Sequence, residues 1–358
     1  MRKVVAAVAA ILGSLTLLGA SNSEDVKLLE EAKKYFQPLP KVVDSKENPV
    51  TKEKVELGKM LYHDPRLSKS GFISCNSCHN LAMYGVDNLP TSIGHKWQIG
   101  PRNAPTVYNA ALHINQFWDG RAKDVEEQAK GPILNPIEMA MDSPEEVVKR
   151  LKSIPEYVEL FKKAFPGEKD PLNYDNVAKA IAAFERTLVT PSRFDKFLQG
   201  DLNALTNEEK EGLKVFIEAG CASCHNGPAV GGTMMAKFGI VEAYWNAVKD
   251  FVTLDKPTMP MDVGRFAVTH NQADLYIFKV PSLRNITKTY PYFHDGSVWD
   301  LEAATQIMAR VQYGKELNKD EIKKIMAFFK ALEGEIPKHA LELPVLPASS
   351  PKTPKPKY

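Results

Sequence analysis

Cys75-Asn76-Ser77-Cys78-His79 and Cys221-Ala222-Ser223-Cys224-His225 take up all four cysteines of a 358-residue chain. The repeated Cys-x-x-Cys-His spacing reads as covalent attachment of two c-type haems. On a short helical turn the thiols at i and i+3 reach the two haem vinyl groups, while the histidine at i+4 directs its imidazole at the iron. Neither a zinc site nor a thioredoxin-like dithiol requires a histidine directly after the second cysteine, twice over. Cys75, Cys78, Cys221 and Cys224 are therefore the attachment residues, and His79 and His225 the first axial ligands.

The rest of the chain agrees with an exported redox protein of about two domains. A basic start, Met1-Arg2-Lys3, precedes the apolar run Val4 to Leu18 and the small residues Gly19-Ala20-Ser21. Residues 1–21 thus read as a secretory signal peptide, with an uncleaved anchor as the alternative. Thioether attachment of haem takes place outside the cytoplasm, so a periplasmic location is expected. With 46 basic and 44 acidic residues, the net charge of +2 supplies no field for nucleic acid. The last stretch, 341–358, carries five prolines among small and basic residues and is expected to trail outside the fold.

Between these ends the pattern is helical. Ser143-Pro144-x-Glu146, Thr206-x-x-Glu209 and Asn318-x-x-Glu321 each set an N-cap oxygen three residues before a carboxylate. Apolar stripes follow, such as Val177, Ile181, Phe184, Leu188 and Ile322, Ile325, Met326, Phe329, Leu332. An internal repeat runs without a gap at an offset of 176 residues: Pro105-Thr106-Val107-x-Asn109 with Phe117-x-Asp119-Gly120 matches Pro281-Ser282-Leu283-x-Asn285 with Phe293-x-Asp295-Gly296. The haem motifs are offset by only 146, which leaves about 30 extra residues in the second unit, around Met234 to Tyr276, as a candidate for interdomain or partner contacts. The expected fold is all-α: two cytochrome c-like haem domains, 22–190 and 191–340, with long loops, little sheet and a seam near Thr190-Pro191.

The sixth iron ligand sets haem function, since methionine raises the potential, a second histidine lowers it and an open position admits a small molecule. In the first half His63, His95 and His113 remain, with His95 on a glycine-hinged loop. In the second, Met234, Met235, Met259, Met261, Met308 and Met326 are formal candidates. Composition and spacing leave both choices open.

Several separated motifs in order then carry a resemblance: the two haem motifs, Phe117-Trp118-Asp119-Gly120-Arg121, Gly131-Pro132-Ile133 and Pro291-Tyr292-Phe293-His294-Asp295-Gly296. Over about Leu57 to Gly334 the chain resembles the bacterial dihaem cytochrome c peroxidases. That resemblance implies a peroxidatic first haem held by His79 and a displaceable His95, and a high-potential second haem held by His225 and Met308. It also implies that Glu138 and Gln128 serve on the distal side, with Pro132 shaping the pocket, and that Trp118 lies between the haems. A calcium ion would sit on Asn103, Thr289 and Pro291, the latter two through carbonyl oxygens. Related enzymes that oxidise a partner's tryptophans carry tyrosine where Met308 stands, which counts against that activity. Expected partners are hydrogen peroxide, a small soluble cytochrome c or copper protein as donor, and a second copy of the chain. The competing class is a pure electron-transfer cytochrome whose irons both stay six-coordinate.

Overall fold

The computed structural model describes residues 23–251 and 262–358. The expected export signal lies outside the described residues, as do Met259 and Met261. Helix α1 occupies residues 23–32. The first unit continues through α2 (Lys52–His63), the haem-motif turn α3 (Cys75–Cys78), α4 (Val125–Leu134), α5 (Pro144–Lys152), α6 (Pro155–Ala164) and α7 (Tyr174–Glu185). The second holds α8 (Arg193–Leu198), α9 (Asn207–Glu218), α10 (Tyr244–Val248), α11 (Phe266–Thr269), α12 (Leu301–Tyr313) and α13 (Lys319–Ala331), and α14 (Lys338–Leu341) follows. Strand structure among the described residues is one antiparallel pair, β1 (Met235–Lys237) and β2 (Ile277–Lys279). The fold is all-α, as expected, and no described helix is long and apolar enough to cross a membrane. Helix starts form where the caps predict them: Ser143 accepts from the Glu146 N–H, and Thr206 and Asn318 close capping boxes with Glu209 and Glu321.

Each unit is organised by one helix crossing. In the first, α2 meets α7 so closely that a Cβ on Gly58 would stand 1.8 Å from the Ala180 carbonyl oxygen. In the second, α9 meets α13 in the same way, and a Cβ on Gly212 would stand 2.0 Å from the Lys324 carbonyl oxygen. Only hydrogen permits that approach, so glycine fixes both crossings. Phe184 and Phe328 fill the equivalent places behind them and are fully buried.

The repeat builds the seam. The Asn103 N–H donates to His294 O and the Lys279 N–H donates to Trp118 O, each at 2.8 Å. Residues 103 and 279 are one repeat offset apart, as are 118 and 294, so the two bonds are mates about a local two-fold axis. Asn109 and Asn285 take the same left-handed conformation (φ 62° and 60°). Both donate Nδ2 to Thr190 Oγ1, at 2.8 and 2.9 Å. Thr190 is thus the pivot between the units. The insertion also reaches across: Asp262 pairs with Arg102 at 2.7 Å, and Arg265 donates to the carbonyls of Asp119 and Gly120.

The chain ends are exchanged between the units. Leu29 and Ala32 of α1 join Phe36 in the second unit's core, where Phe36 meets Phe194 edge-on with centroids 5.3 Å apart. At the other end Ala340 joins the first unit's core. Ser350 Oγ donates to Ser153 O at 2.6 Å, and the Lys357 N–H donates to Lys69 O at 2.9 Å. The Pro-rich stretch 341–358, expected outside the fold, therefore lies against the first unit. Proline blocks helix but leaves an extended chain whose remaining N–H and hydroxyl groups bind neighbouring loops. A division at residue 190 in sequence order does not capture either end.

Candidate functional site

The two haem motifs present their histidines identically. His79 Nδ1 lies 2.9 Å from Pro105 O, and His225 Nδ1 lies 3.1 Å from Pro281 O. A carbonyl only accepts, so Nδ1 carries the proton in both rings and Nε2 keeps a lone pair for iron. Pro105 and Pro281 are equivalent positions of the repeat. Their task was invisible in the sequence, although the repeat that contains them was not. Burial lowers the pKa of His79 and pushes His225 down to about 4, which keeps both as neutral ligands. Burial also pushes the Cys78 and Cys221 thiols up to about 11, the opposite of the activated thiolate a dithiol redox site needs.

Beside Cys221, Cys224 and His225 opens a large, mainly apolar cavity, and α12 brings Met308 to its wall. The other described methionines are engaged elsewhere or absent from that wall. Met326 packs on the second core, and Met235 Sδ lies 3.4 Å from Asn115 Nδ2. Donor set and cavity together fit a haem with imidazole and thioether ligation.

The first centre is built differently. His95 sits at the head of a turn closed by a bridge between Ile93 and Ile99. Lys96 and Trp97 hold left-handed φ values of 56° and 62°, conformations that cost a non-glycine residue roughly 1–2 kcal/mol each. His95 is buried and its Nδ1 has no hydrogen-bond partner. Its backbone N–H is shared by the carbonyls of Ile137 and Glu138, both at 2.9 Å. Gly94 permits this contact, because a Cβ there would stand 1.9 Å from Ile137 O. Burial, reinforced by Lys96 and Lys69, lowers the His95 pKa and leaves the ring neutral. Of the other two histidines, His63 turns Nδ1 to Lys59 O in its own helix at 2.9 Å, and His113 lines the second cavity.

Glu138 therefore lies on the loop that holds His95. Asn135 Nδ2 donates to Glu138 Oε1 at 2.8 Å. Burial raises the Glu138 pKa, against the pull of the Arg121 guanidinium and Asn135. Arg121 is stacked 3.4 Å above the Phe117 ring and bonds both carboxylate oxygens of Asp119. Arg121 and Asn135 were missed as site residues by the sequence reading, although Arg121 closes the quoted Phe-Trp-Asp-Gly-Arg motif. Gln128 lies on α4, one turn before Pro132, and is half-buried. Glu185, at the end of α7 and not singled out from the sequence, is buried near Cys75, and burial with repulsion from Glu126 pushes it up to about 8.

Trp118 stands on the seam. Its Nε1 donates to Asn103 O at 2.9 Å, and its ring meets that of its repeat mate His294 edge-on at 6.3 Å. Asn103 Nδ2 donates to the carbonyls of Leu89 and Pro90, which leaves Oδ1 without a donor among the described residues. Asn103, Thr289 and Pro291 line one cavity. No cluster of three or more His, Cys, Asp or Glu suited to a metal occurs among the described residues, so a cation here would rest on neutral oxygens.

Known proteins share this organisation. A family model described as di-haem cytochrome c peroxidase matches residues 52–203. The chain is 48% identical over 349 residues to the cytochrome c551 peroxidase of Pseudomonas aeruginosa, covering 96% of this chain and 97% of that protein. It is 52% identical over 326 residues to the cytochrome c551 peroxidase of Nitrosomonas europaea, covering 90% and 91%. A crystal structure of a MauG-like protein associated with microbial copper homeostasis superimposes with a TM-score of 0.70 at 26% identity, covering 89% of this chain and 97% of that one.

Proposed function

The chain belongs to the di-haem cytochrome c peroxidase family, and from that premise we propose how its own residues divide the reduction of hydrogen peroxide to water. When bound, the two haems c supply iron that stores electrons and accepts the oxidant. His79 and His225 are the fixed ligands, oriented by Pro105 O and Pro281 O. Met308 would hold the second haem together with His225, and thioether ligation would raise its potential and suit it to storing an electron. His95 would be the displaceable ligand: its turn, with left-handed Lys96 and Trp97, is hydrogen-bonded to the Glu138 loop, so a movement of that turn would shift His95 and Glu138 together.

The reaction consumes two electrons and two protons per peroxide and forms two waters. Glu138 takes a proton from the incoming peroxide and returns it to the departing oxygen, with Oε1 steadied by Asn135 and Oε2 left for the substrate. Gln128 orients the peroxide, Pro132 shapes the pocket, and Trp118 bridges the units for electron passage. Asn103 Oδ1 and the Thr289 and Pro291 carbonyls would hold a calcium ion, which would tie the units at the same seam. A small soluble cytochrome c or copper protein delivers electrons, the location is periplasmic, and two copies of the chain associate.

One contrast carries this reading: the second cavity offers a methionine on a regular helix, whereas the first centre offers a histidine on a strained turn. Carbon monoxide titration and peroxide turnover with a reduced small cytochrome c test it together. The half-reduced protein should bind one equivalent and turn over. Absence of both would make the chain an electron carrier with two closed irons.

A further inference from the structure

Two buried donors on the seam have no use in that mechanism. Lys279 Nζ lies 3.3 Å from His113 Nδ1. Since an ammonium only donates, Nδ1 accepts, and the proton of His113 sits on Nε2, which is buried without a partner. Among the described residues no carboxylate pairs with Lys279, and burial alone pushes its ammonium down to about 8. An enclosed cation with no anionic partner and an enclosed N–H with no acceptor are costly, so the pair is shaped for an anion that the described residues do not supply.

The repeat identifies the place. Shifted by one offset of 176 residues, Asn103, Thr289 and Pro291 become Lys279, His113 and Asn115. The candidate calcium position and the lysine position are therefore mates about the two-fold axis, and the paired backbone bonds of Asn103 and Lys279 hold them equivalently. One side offers oxygens to a mobile cation. The other carries its cation on a side chain, with Asn115 turned aside to Met235 Sδ.

We propose that Lys279, braced by His113, is the resident cation of this second seam site and binds a propionate of the second haem. The inference rests on the haem reading above. Lys279 and His113 line the cavity that also holds Cys221, Cys224, His225 and Met308. Of the three lysines on that wall, Lys237 and Lys315 are exposed, and Lys279 alone is buried, at 5% exposure. A haem enclosed there brings carboxylates into an apolar space, where a charge-assisted hydrogen bond is the strongest available partner. Because the Lys279 N–H also bonds Trp118 O, the residue that fixes the cofactor's charge also fixes the tryptophan loop.

The test is the reduction midpoint of the haem on Cys221 and Cys224 in the full chain carrying both haems, read by spectroelectrochemistry. Lys279→Met leaves an uncompensated carboxylate that favours the oxidised iron. At the wild-type midpoint the ratio of oxidised to reduced form should rise about tenfold, a fall of about 59 mV for a one-electron couple. Lys279→Arg, which keeps the charge, should recover most of the shift. Lys279→Gln, neutral but polar, is read in the same way should the methionine variant fail to mature. A wild-type midpoint in the neutral variants overturns the proposal, as does an arginine variant shifted as far as the methionine one, or a shift confined to the first haem. Potentials are measurable whether or not peroxide turns over, so failure of the peroxidase reading is seen separately.

Discussion

Replacing Glu138 by glutamine changes one proton and little else. Side-chain length is preserved, and the amide oxygen can still accept from Asn135 Nδ2, which now meets Oε1 at 2.8 Å. What disappears is the capacity to take a proton from peroxide and give it back. A positioned acid–base group contributes about 10²- to 10⁴-fold, roughly 3–5 kcal/mol of barrier at about 1.36 kcal/mol per tenfold. The structure favours a substantial effect, because burial raises the Glu138 pKa toward working pH and brings donor and acceptor closer in proton affinity. The assay is kcat/KM for hydrogen peroxide with a reduced cytochrome donor, followed from acid to neutral pH at constant haem content. In the native protein the base must be ionised, so kcat/KM falls as pH drops through the raised Glu138 pKa. The glutamine variant should lose at least a hundredfold near neutrality, and that acid limb should vanish. Loss of less than tenfold, or an acid limb that persists unchanged, would remove Glu138 from proton transfer.

Three further outcomes follow from packing and charge. Gly212→Ala places a Cβ 2.0 Å from Lys324 O, and forcing α9 from α13 should cost about 1–3 kcal/mol in chemical denaturation, a loss that the better helix propensity of alanine only partly offsets. Asp195→Ala strands the fully buried Arg284, now 2.6 Å from the carboxylate, and should destabilise by about 3–5 kcal/mol with both haems still attached. Glu185 binds its proton more tightly when folded, up to about pH 8, than when unfolded, so its contribution to stability is lost as pH rises between about 4.5 and 8. Glu185→Gln should therefore raise the thermal midpoint at pH 8 and leave it nearly unchanged at pH 4.5.

Much of this was legible in the chain because the relevant signals are local. Haem attachment depends on a five-residue spacing, and the caps at Ser143, Thr206 and Asn318 depend on contacts three residues apart. The core stripes on α7 and α13 repeat at the helical period. What stayed hidden is long-range. Pro105 O is 26 residues from the ring it orients, and Pro281 O is 56 residues from its own. Neither carries a side-chain signature, since the acting group is a backbone carbonyl. The exchanged ends were hidden for a related reason: Phe36 is an ordinary apolar residue whose partner, Phe194, lies in the other unit. Arg121 was quoted in a motif but not assigned, because its charge matters only once the Glu138 loop folds over it.

Duplication gives one chain two similar centres, which the proposed function requires to be unequal. The repeat keeps the parts that orient iron, the histidine and the proline carbonyl, at the same geometry in both units. The divergence lies in the side chains at equivalent positions. Tyr108, which donates to Leu81 O at 2.8 Å, is answered by Arg284, which is locked to Asp195. Trp118 is answered by His294, and the two rings touch. Of these two pairs, Trp118 and His294 meet across the seam, whereas Tyr108 and Arg284 each serve the interior of their own unit. Two domains joined by a linker could vary independently. A two-fold seam instead forces asymmetry to be built from complementary residues, a ring that meets a ring and an oxygen site opposite a lysine. Such asymmetry suits the proposed division of labour, in which one centre stores an electron and the other opens to the oxidant.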